Sequence, residues 1–386
     1  MMKIAIIGIG ITKFTEHWDK NLSDLAFEAG MQAVIDSGIS GKDIDSIFIG
    51  NMSAGRFTGQ DHLGAFIADK IGVNIPSTRV EGACASGALA LRCGINSILA
   101  GESKISLIGG AEKMTDISTA NVTTGLMGAG DEEWEGEIGL TFPSLYALMA
   151  QRYIYEFGIK KEYISYAAVK NHFNASLNPI AQYQKEITLD NVMNASMVSE
   201  PLTLLDCSPI TDGAAAILIA DEKTAKKYCK NPVYIIASAQ AQDTLALHDR
   251  KSLTTLNATV EAAKIAYKQA NKTPNDIDLC EVHDCFTIAE ILAIEDLGFF
   301  PKSKGAIHTY NRDTSLNGKI PINTSGGLKA CGHPVGATGI KQIIEIVQQL
   351  KGVCGKRQVK NAKIGMTHNV GGSGATAVIH ILEKSF

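Results

Sequence analysis

The sequence has no apolar stretch approaching the roughly 20 residues that cross a bilayer, and Met1-Met2-Lys3-Ile4 runs straight into a strand-like segment instead of a signal peptide. A soluble, cytoplasmic protein with no membrane partner is expected. Long basic runs are also missing. Lys plus Arg number 36 against 40 Asp plus Glu, a net charge of -4, so no segment can neutralise a phosphate backbone and no nucleic-acid partner is expected. Cysteine is scarce, with eight in 386 residues and no Cys-x-x-Cys pair; this argues against a disulfide scaffold and zinc-type spacing, and no metal is expected. The thiols should be reduced, some of them buried and some available for catalysis. What the chain does have is 45% hydrophobic and 20% charged residues, close to globular averages, in a length that fits two or three units or one large duplicated one.

The first strand-like run, Ile4-Ala5-Ile6-Ile7-Gly8-Ile9-Gly10, looks like the start of a dinucleotide fingerprint, but the third glycine would fall at Lys13 and no helix pattern follows at once. Leu22, Leu25, Ala26, Ala29, Ala33 and Val34 recur at helical spacing, which predicts a helix over Leu22–Ser37, stopped by Gly38 and followed by a strand from Ile44 to Ile49. The chain then repeats itself. Residues 26–49 align without gaps on 259–282, pairing Glu28 with Glu261, Ala29 with Ala262, Ala33 with Ala266, and Asp43-Ile44-Asp45 with Asp276-Ile277-Asp278. A second pair in the same order matches 213–218 with 374–379, and Glu222-Lys223 with Glu383-Lys384. Strands alternating with helices in two similar halves argue for the α/β class, with halves at 1–230 and 231–386. The first half is lengthened by an insertion, about 115–199, where the regular pattern fades into irregular turns; such a segment lies over an active site or makes subunit contacts. Its acidic run, 131–137, reads as a solvated loop without chemistry.

Cys84 sits in Glu81-Gly82-Ala83-Cys84-Ala85-Ser86-Gly87, small residues that lead into a helical continuation. A thiol at a helix N-terminus meets the positive end of the dipole and free N–H groups, which should lower its pKa. Alone, such a cysteine is more often a small buried hydrophobe; a nucleophile needs a base. Two histidine contexts in the second half offer one: His333, in the glycine-dense 325–339 segment before a helix, and His283 in His283-Asp284-Cys285-Phe286, at the end of the repeated strand. A further glycine-rich turn is His368-Asn369-Val370-Gly371-Gly372-Ser373-Gly374.

In order and spacing, Ala83-Cys84-Ala85-Ser86-Gly87, His283-Asp284-Cys285-Phe286, Gly332-His333-Pro334-Val335-Gly336-Ala337-Thr338-Gly339 and His368-Asn369-Val370-Gly371 resemble the four active-site blocks of thiolases, in the variant of the sterol-carrier-protein-type subgroup and archaeal acetoacetyl-CoA thiolases. The resemblance spans residues 3–384. It implies duplicated βαβαβαββ halves in a five-layered α-β-α-β-α arrangement, with an inserted loop domain. It implies Cys84 as the nucleophile that takes up the acyl group and His333 as its base. It places His283 in the first oxyanion hole and the backbone N–H groups of Cys84 and Gly371 in the second. The usual second cysteine, in a Cys-x-Gly block, is absent, because that turn reads Asn369-Val370-Gly371. The subgroup supplies the thiol from the His-Asp-Cys-Phe block, which nominates Cys285 as the acid/base; Cys331 and His368 are weaker competitors. Cys93, Cys207, Cys229, Cys280 and Cys354 belong to no motif and read as packing residues.

The activity implied is acetyl-CoA C-acetyltransferase: reversible Claisen condensation of two acetyl-CoA to acetoacetyl-CoA and CoA through a Cys84 acyl-enzyme, feeding the mevalonate pathway. No cofactor beyond coenzyme A thioesters is needed, and the residues that hold the CoA nucleotide are not assigned. A ketoacyl synthase or hydroxymethylglutaryl-CoA synthase shares the fold but is disfavoured by the Gly-His-Pro block. The alternatives are a 3-ketoacyl-CoA thiolase of fatty-acid degradation and a noncatalytic acyl-CoA-binding scaffold. Lys384-Ser385-Phe386 is not a Ser-Lys-Leu type signal, and no fused sterol-carrier domain is expected. The resemblance also implies a homo-oligomer, a dimer or tetramer, and association with hydroxymethylglutaryl-CoA synthase and a small OB-fold acyl-CoA-binding protein.

Overall fold

The computed structural model describes residues 3–385; the expectations that rest on Met1, Met2 and Phe386 lie outside the described residues. Nine strands form the main sheet: β1 (Ile4–Ile11), β2 (Ser46–Gly50), β3 (Ser77–Val80), β4 (Ile105–Glu112), β5 (Gly213–Asp221), β6 (Val233–Gln242), β7 (Leu279–Glu281), β8 (Ile364–Gly371) and β9 (Thr376–Lys384). Their spatial order is β3-β2-β4-β5-β1-β6-β9-β8-β7, so each half unrolls from the centre in the same sequence, with β3 added at one rim. β2 runs parallel to β3 and β4, and β7 parallel to β8, while β1/β5 and β8/β9 are antiparallel.

Among the described residues the ladders of the two half-sheets are joined through the pairs Ile4↔Ile235, Ala5↔Tyr234 and Ile6↔Val233. Past Ile6 the halves part, and two N–H groups of β1 turn to side chains instead: Ile9 to Asp36 Oδ2 and Ile11 to Gln32 Oε1, both at 3.0 Å. Both acceptors lie on α1 (Leu22–Ser37), which spans the residues its periodicity predicts. Gly8 and Gly10 seat this helix. A Cβ on either would lie 2.3 Å from the Ala33 carbonyl or 2.1 Å from that of Ala29, so these glycines serve close packing, not a nucleotide.

Side-chain alternation sorts the layers. Along β5, Ala215, Ile217 and Ile219 face a central core shared with α2 (Ser86–Leu99) and with α7 (Thr338–Lys351), while Ala214, Ala216 and Leu218 face α1. On the other half-sheet Ala237, Ala239, Ile379 and Ile381 pack under α5 (Asn257–Ala270), with Ala293 and Ile294 of α6 (Thr287–Asp296) in the same cluster. The result is α1, half-sheet, α2 with α7, half-sheet, α5 with α6: five layers.

The repeat is reproduced down to single hydrogen bonds. Asp45 Oδ2 accepts the N–H groups of Lys104 and Ile105 at 2.7 and 3.0 Å, and Asp278 Oδ2 accepts those of Lys363 and Ile364 at 2.8 and 2.9 Å. In each half the preceding 3₁₀ turn, Gly41–Asp43 or Pro274–Asp276, is closed by a capping box on Ser40 or Thr273.

Two expectations about the insertion are corrected. It is not largely irregular, since α3 (Phe142–Phe157) and α4 (Lys161–Ser176) run through it. The inward face of α4 is polar: Lys170 donates to the Ile322 carbonyl at 2.7 Å, and Asn171 Nδ2 donates to Asp284 at 2.6 Å and Glu290 at 2.8 Å, so no apolar stripe marks the helix. The acidic run is only partly solvated. Glu135 is buried and accepts the Leu247 N–H at 2.6 Å, fastening the loop that leads to Arg250.

Candidate active site

The chain's glycine-dense turns converge beyond the carboxyl ends of β4, β7 and β8, where the N-termini of α2 and α7 also point. Gly336 shows why bulk is excluded there. Its Cβ would lie 2.6 Å from the Gly50 carbonyl and 2.8 Å from that of Ala111, so the 325–339 loop lies directly on the other half. Glu112 clamps this seam, accepting N–H groups from Met52 at 2.9 Å, Ser53 at 3.1 Å and Gly336 at 3.1 Å.

Cys84 occupies a 3₁₀ turn, Ala83–Ala85, immediately before α2. Ala83 is held at φ 53°, in the left-handed region, by short bonds: its N–H donates to Glu81 at 2.6 Å, and Ser86 Oγ donates to its carbonyl at 2.6 Å. The structure places the Cys84 thiol against its own N–H and that of Gly372. Gly371 lies behind it; a Cβ there would be 2.5 Å from the Gly82 carbonyl. The expectation of a lowered thiol pKa is corrected. Burial, and more weakly the charge of Glu112, outweigh the two N–H dipoles and push Cys84 up to about 12.

The sulfur of Cys84 and a ring nitrogen from each of His283 and His333 lie within 4.8 Å of one another. Among the described residues this is also the group whose spacing could hold a soft metal ion. The two rings meet edge to face, with centroids 5.1 Å apart. His333 is fixed at two points: its N–H donates to Thr211 Oγ1 at 3.0 Å and its Nδ1 lies 2.7 Å from Thr338 Oγ1, which itself donates to the Pro334 carbonyl at 3.0 Å. Since that hydroxyl proton is committed to Pro334, Nδ1 of His333 must carry the proton and Nε2 is left as a basic lone pair. Burial, then Lys341, lowers His333 to about 3, so the resting imidazole is neutral. His283 Nδ1 meets Asn369 Nδ2 at 3.1 Å, and its buried Nε2 has no protein partner. Burial, followed by His333, holds His283 well below the usual histidine range.

Cys285 is buried one residue beyond Asp284, which accepts the Leu328 N–H at 2.6 Å and so ties the His-Asp-Cys-Phe turn to the 325–339 loop. Its thiol stands outside the three-atom group and faces Cys84 and the Tyr146 hydroxyl. The competitors lie elsewhere: Cys331 is buried in the central core, and His368 Nε2 is taken up by Thr259 Oγ1 at 2.8 Å. None of the eight cysteines is in a disulfide. Cys280 and Cys354 are buried, whereas Cys93, Cys207 and Cys229 are half-exposed. Thr338, Glu112 and Tyr146 were not anticipated as site residues. Glu112 had a faint signal, an acid ending the otherwise apolar Ile105–Glu112 run, and Tyr146 had none.

Residues 4–223 match the family model described as Thiolase, N-terminal domain, and residues 239–384 match Thiolase C-terminal domain-like. The chain is 52% identical over 385 residues to the acetyl-CoA acetyltransferase of Methanothermobacter thermautotrophicus, covering 100% of both chains. It is 34% identical to sterol carrier protein 2 of Homo sapiens, over 98% of this chain and 71% of that protein. Among solved structures it superposes on human mitochondrial 3-ketoacyl-CoA thiolase in complex with CoA at a TM-score of 0.77, with 18% identity over 100% of this chain and 98% of that one. A structure described as the Ltp2-ChsH2(DUF35) aldolase gives a TM-score of 0.85 at 24% identity, over 99% of this chain and 97% of that one.

Proposed function

Because the chain belongs to the thiolase family of acyltransferases, we propose that it is an acetyl-CoA C-acetyltransferase that joins two acetyl-CoA into acetoacetyl-CoA and CoA, with Cys84 carrying the acetyl group. The observation that carries this reading is the meeting of Cys84, His283 and His333 within 4.8 Å at the seam of the two halves.

Thiol and imidazole are both neutral at rest, so the proton leaves Cys84 for His333 Nε2 as the sulfur attacks the thioester carbon, and not before. His333 then returns that proton to the departing CoA sulfur. The backbone N–H groups of Cys84 and of the Gly371–Gly372 turn would receive the tetrahedral oxyanion. A second acetyl-CoA follows, its thioester oxygen between His283 and His333. Cys285, whose thiol burial pushes well up, acts from its thiolate form and takes the α-proton: the C–H bond breaks, an S–H bond forms, and the electron pair enters the enolate. The enolate carbon attacks the acetyl carbon of Cys84, whose sulfur leaves and takes the proton that Cys285 holds, so Cys84 is again a thiol and Cys285 again a thiolate. The mechanism draws on no group beyond CoA thioesters and the chain's own thiols, imidazoles and N–H donors.

Condensation of two acetyl-CoA is uphill, so we place the enzyme in the cytoplasm as a homo-oligomer that passes acetoacetyl-CoA to hydroxymethylglutaryl-CoA synthase, at the head of the mevalonate pathway, with a small OB-fold acyl-CoA-binding protein as a further partner. That no helix among the described residues is long and apolar enough to cross a membrane accords with this placement. A rate series across 3-ketoacyl-CoA chain lengths tests the activity. Preference for acetoacetyl-CoA is expected; preference for long chains points to fatty-acid degradation, and no turnover points to a scaffold. Light scattering that gives a single species near 41 kDa contradicts the oligomer.

A further inference from the structure

Tyr146 lies on α3, in the insertion, yet its hydroxyl reaches the centre of the site. It is 1% exposed, its ring stacks at a tilt on Phe286 with centroids 4.7 Å apart, and its O–H donates to the Gly372 carbonyl at 3.2 Å. The same side chain packs with Cys285 in one buried cluster, next to the ring of Phe286. Gly372 in turn directs its N–H at Cys84, so the phenol connects the turn facing the first sulfur to the second sulfur. The charged and titratable groups facing Tyr146 are Cys285, Cys84 and Arg250; those facing Cys285 are Cys84, Tyr146 and Asp284. Arg250 is committed to the Ser373 carbonyl and hydroxyl and to the Thr244 carbonyl. Burial, then the Cys285 thiol, holds the phenol well above its ordinary value of 10, so Tyr146 keeps its proton and acts only as a donor.

We propose that Tyr146 is a positioning residue for the second thiol: its O–H rests on the Gly372 carbonyl while Cys285 is protonated and turns to the sulfur when Cys285 is a thiolate, setting the pH at which that thiol takes and returns the α-proton. The proposal rests on the reading of Cys285 as the acid/base. The transferred proton moves between substrate carbon and Cys285 sulfur, and the phenol gives up none. The device joins two parts of the chain. The insertion supplies the donor and the second half supplies the thiol, so the pH at which condensation runs depends on the insertion.

Tyr146→Phe removes one oxygen atom and leaves the ring on Phe286. Condensation at pH 7 should fall about tenfold and its pH profile should move up by about one unit, the worth of one hydrogen bond to a charged group, whereas acetyl-enzyme formation, whose oxyanion turn also loses its tie to the phenol, can slow but keeps its pH profile. Alkylation of Cys285 in the Cys84→Ala background should move by the same amount. A merely structural role would lower thermal stability and slow both half-reactions without displacing either profile, and that result overturns the proposal. Should Tyr146→Phe not fold, site-specific 3-fluorotyrosine at 146, a stronger donor, should move the profile downward; no movement overturns the proposal. Cys285→Ala serves as the control. If it condenses at the wild-type rate, the acid/base reading itself fails; if it is inactive while Tyr146→Phe is unaltered, only the role of Tyr146 fails.

Discussion

Thr338 offers the sharpest single-atom perturbation of the first half-reaction. Its hydroxyl donates to the Pro334 carbonyl and accepts from Nδ1 of His333 at 2.7 Å, which leaves Nε2 as the lone pair that takes the Cys84 proton. Thr338→Val keeps the shape of the side chain and removes the acceptor. The buried Nδ1–H then has no partner, a penalty of about 1–3 kcal/mol, and the ring escapes it by moving its proton to Nε2, where it can no longer serve as a base. If the whole penalty falls on the competent tautomer, acylation slows by about fivefold to 150-fold, at 1.36 kcal/mol per decade. Rapid-quench measurement of the acetyl adduct on Cys84 gives the rate, and ¹⁵N-histidine spectra report which nitrogen holds the proton. Thr338→Ser should recover most of the rate. Wild-type acylation by Thr338→Val, with His333 still protonated at Nδ1, would refute this account of how the base is prepared.

Asp45→Ala and Asp278→Ala each free two backbone N–H groups at equivalent places of the repeat, and denaturant titration should find similar losses of about 1–2 kcal/mol; a large inequality would contradict the structural equivalence of the halves. Acid should destabilise the fold through its histidines. Burial lowers His172 and His380 to about 4 and His333 and His368 to about 3, and it also lowers His283; these groups are neutral when folded and gain protons on unfolding below about 6.5. Burial raises Glu112 and Asp284 to about 7, which works the other way between about pH 4 and 7. The urea midpoint should therefore decline gently from pH 6.5 to about 4.5 and steeply below; a level midpoint down to pH 4 would contradict the signs assigned. Cys84→Ala should yield no acetyl-enzyme by mass spectrometry, and an adduct at wild-type level would displace the nucleophile.

The sequence was most readable where backbone geometry restricts composition. Gly336 and its neighbours announce a loop that only small residues can form, and His333 follows from that loop. The duplication was legible because Asp45 and Asp278 do the same backbone work in both halves. Reading failed where polar groups are buried by pairing. The α4 helix turns Lys170 and Asn171 inward onto Glu290 and Asp284, so it lacks the apolar stripe that marks a helix. Glu135 looks solvated in a run of acids but is buried on the Leu247 N–H. The Cys84 thiol was misjudged for a related reason: the helix terminus is visible in sequence, whereas the burial that outweighs it depends on how the halves close. Tyr146 lies 139 positions before Cys285, and only the folded insertion brings the two into one buried cluster.

The division of labour between the two thiols is the central claim, and one experiment addresses it: Cys285→Ala mixed with acetyl-CoA, with the acetyl group located by peptide mapping and acetoacetyl-CoA measured in the same sample. The account predicts an acetyl group on Cys84 at wild-type occupancy and no acetoacetyl-CoA. Acetoacetyl-CoA formed at the wild-type rate, or an acetyl group on any residue other than Cys84, would contradict it.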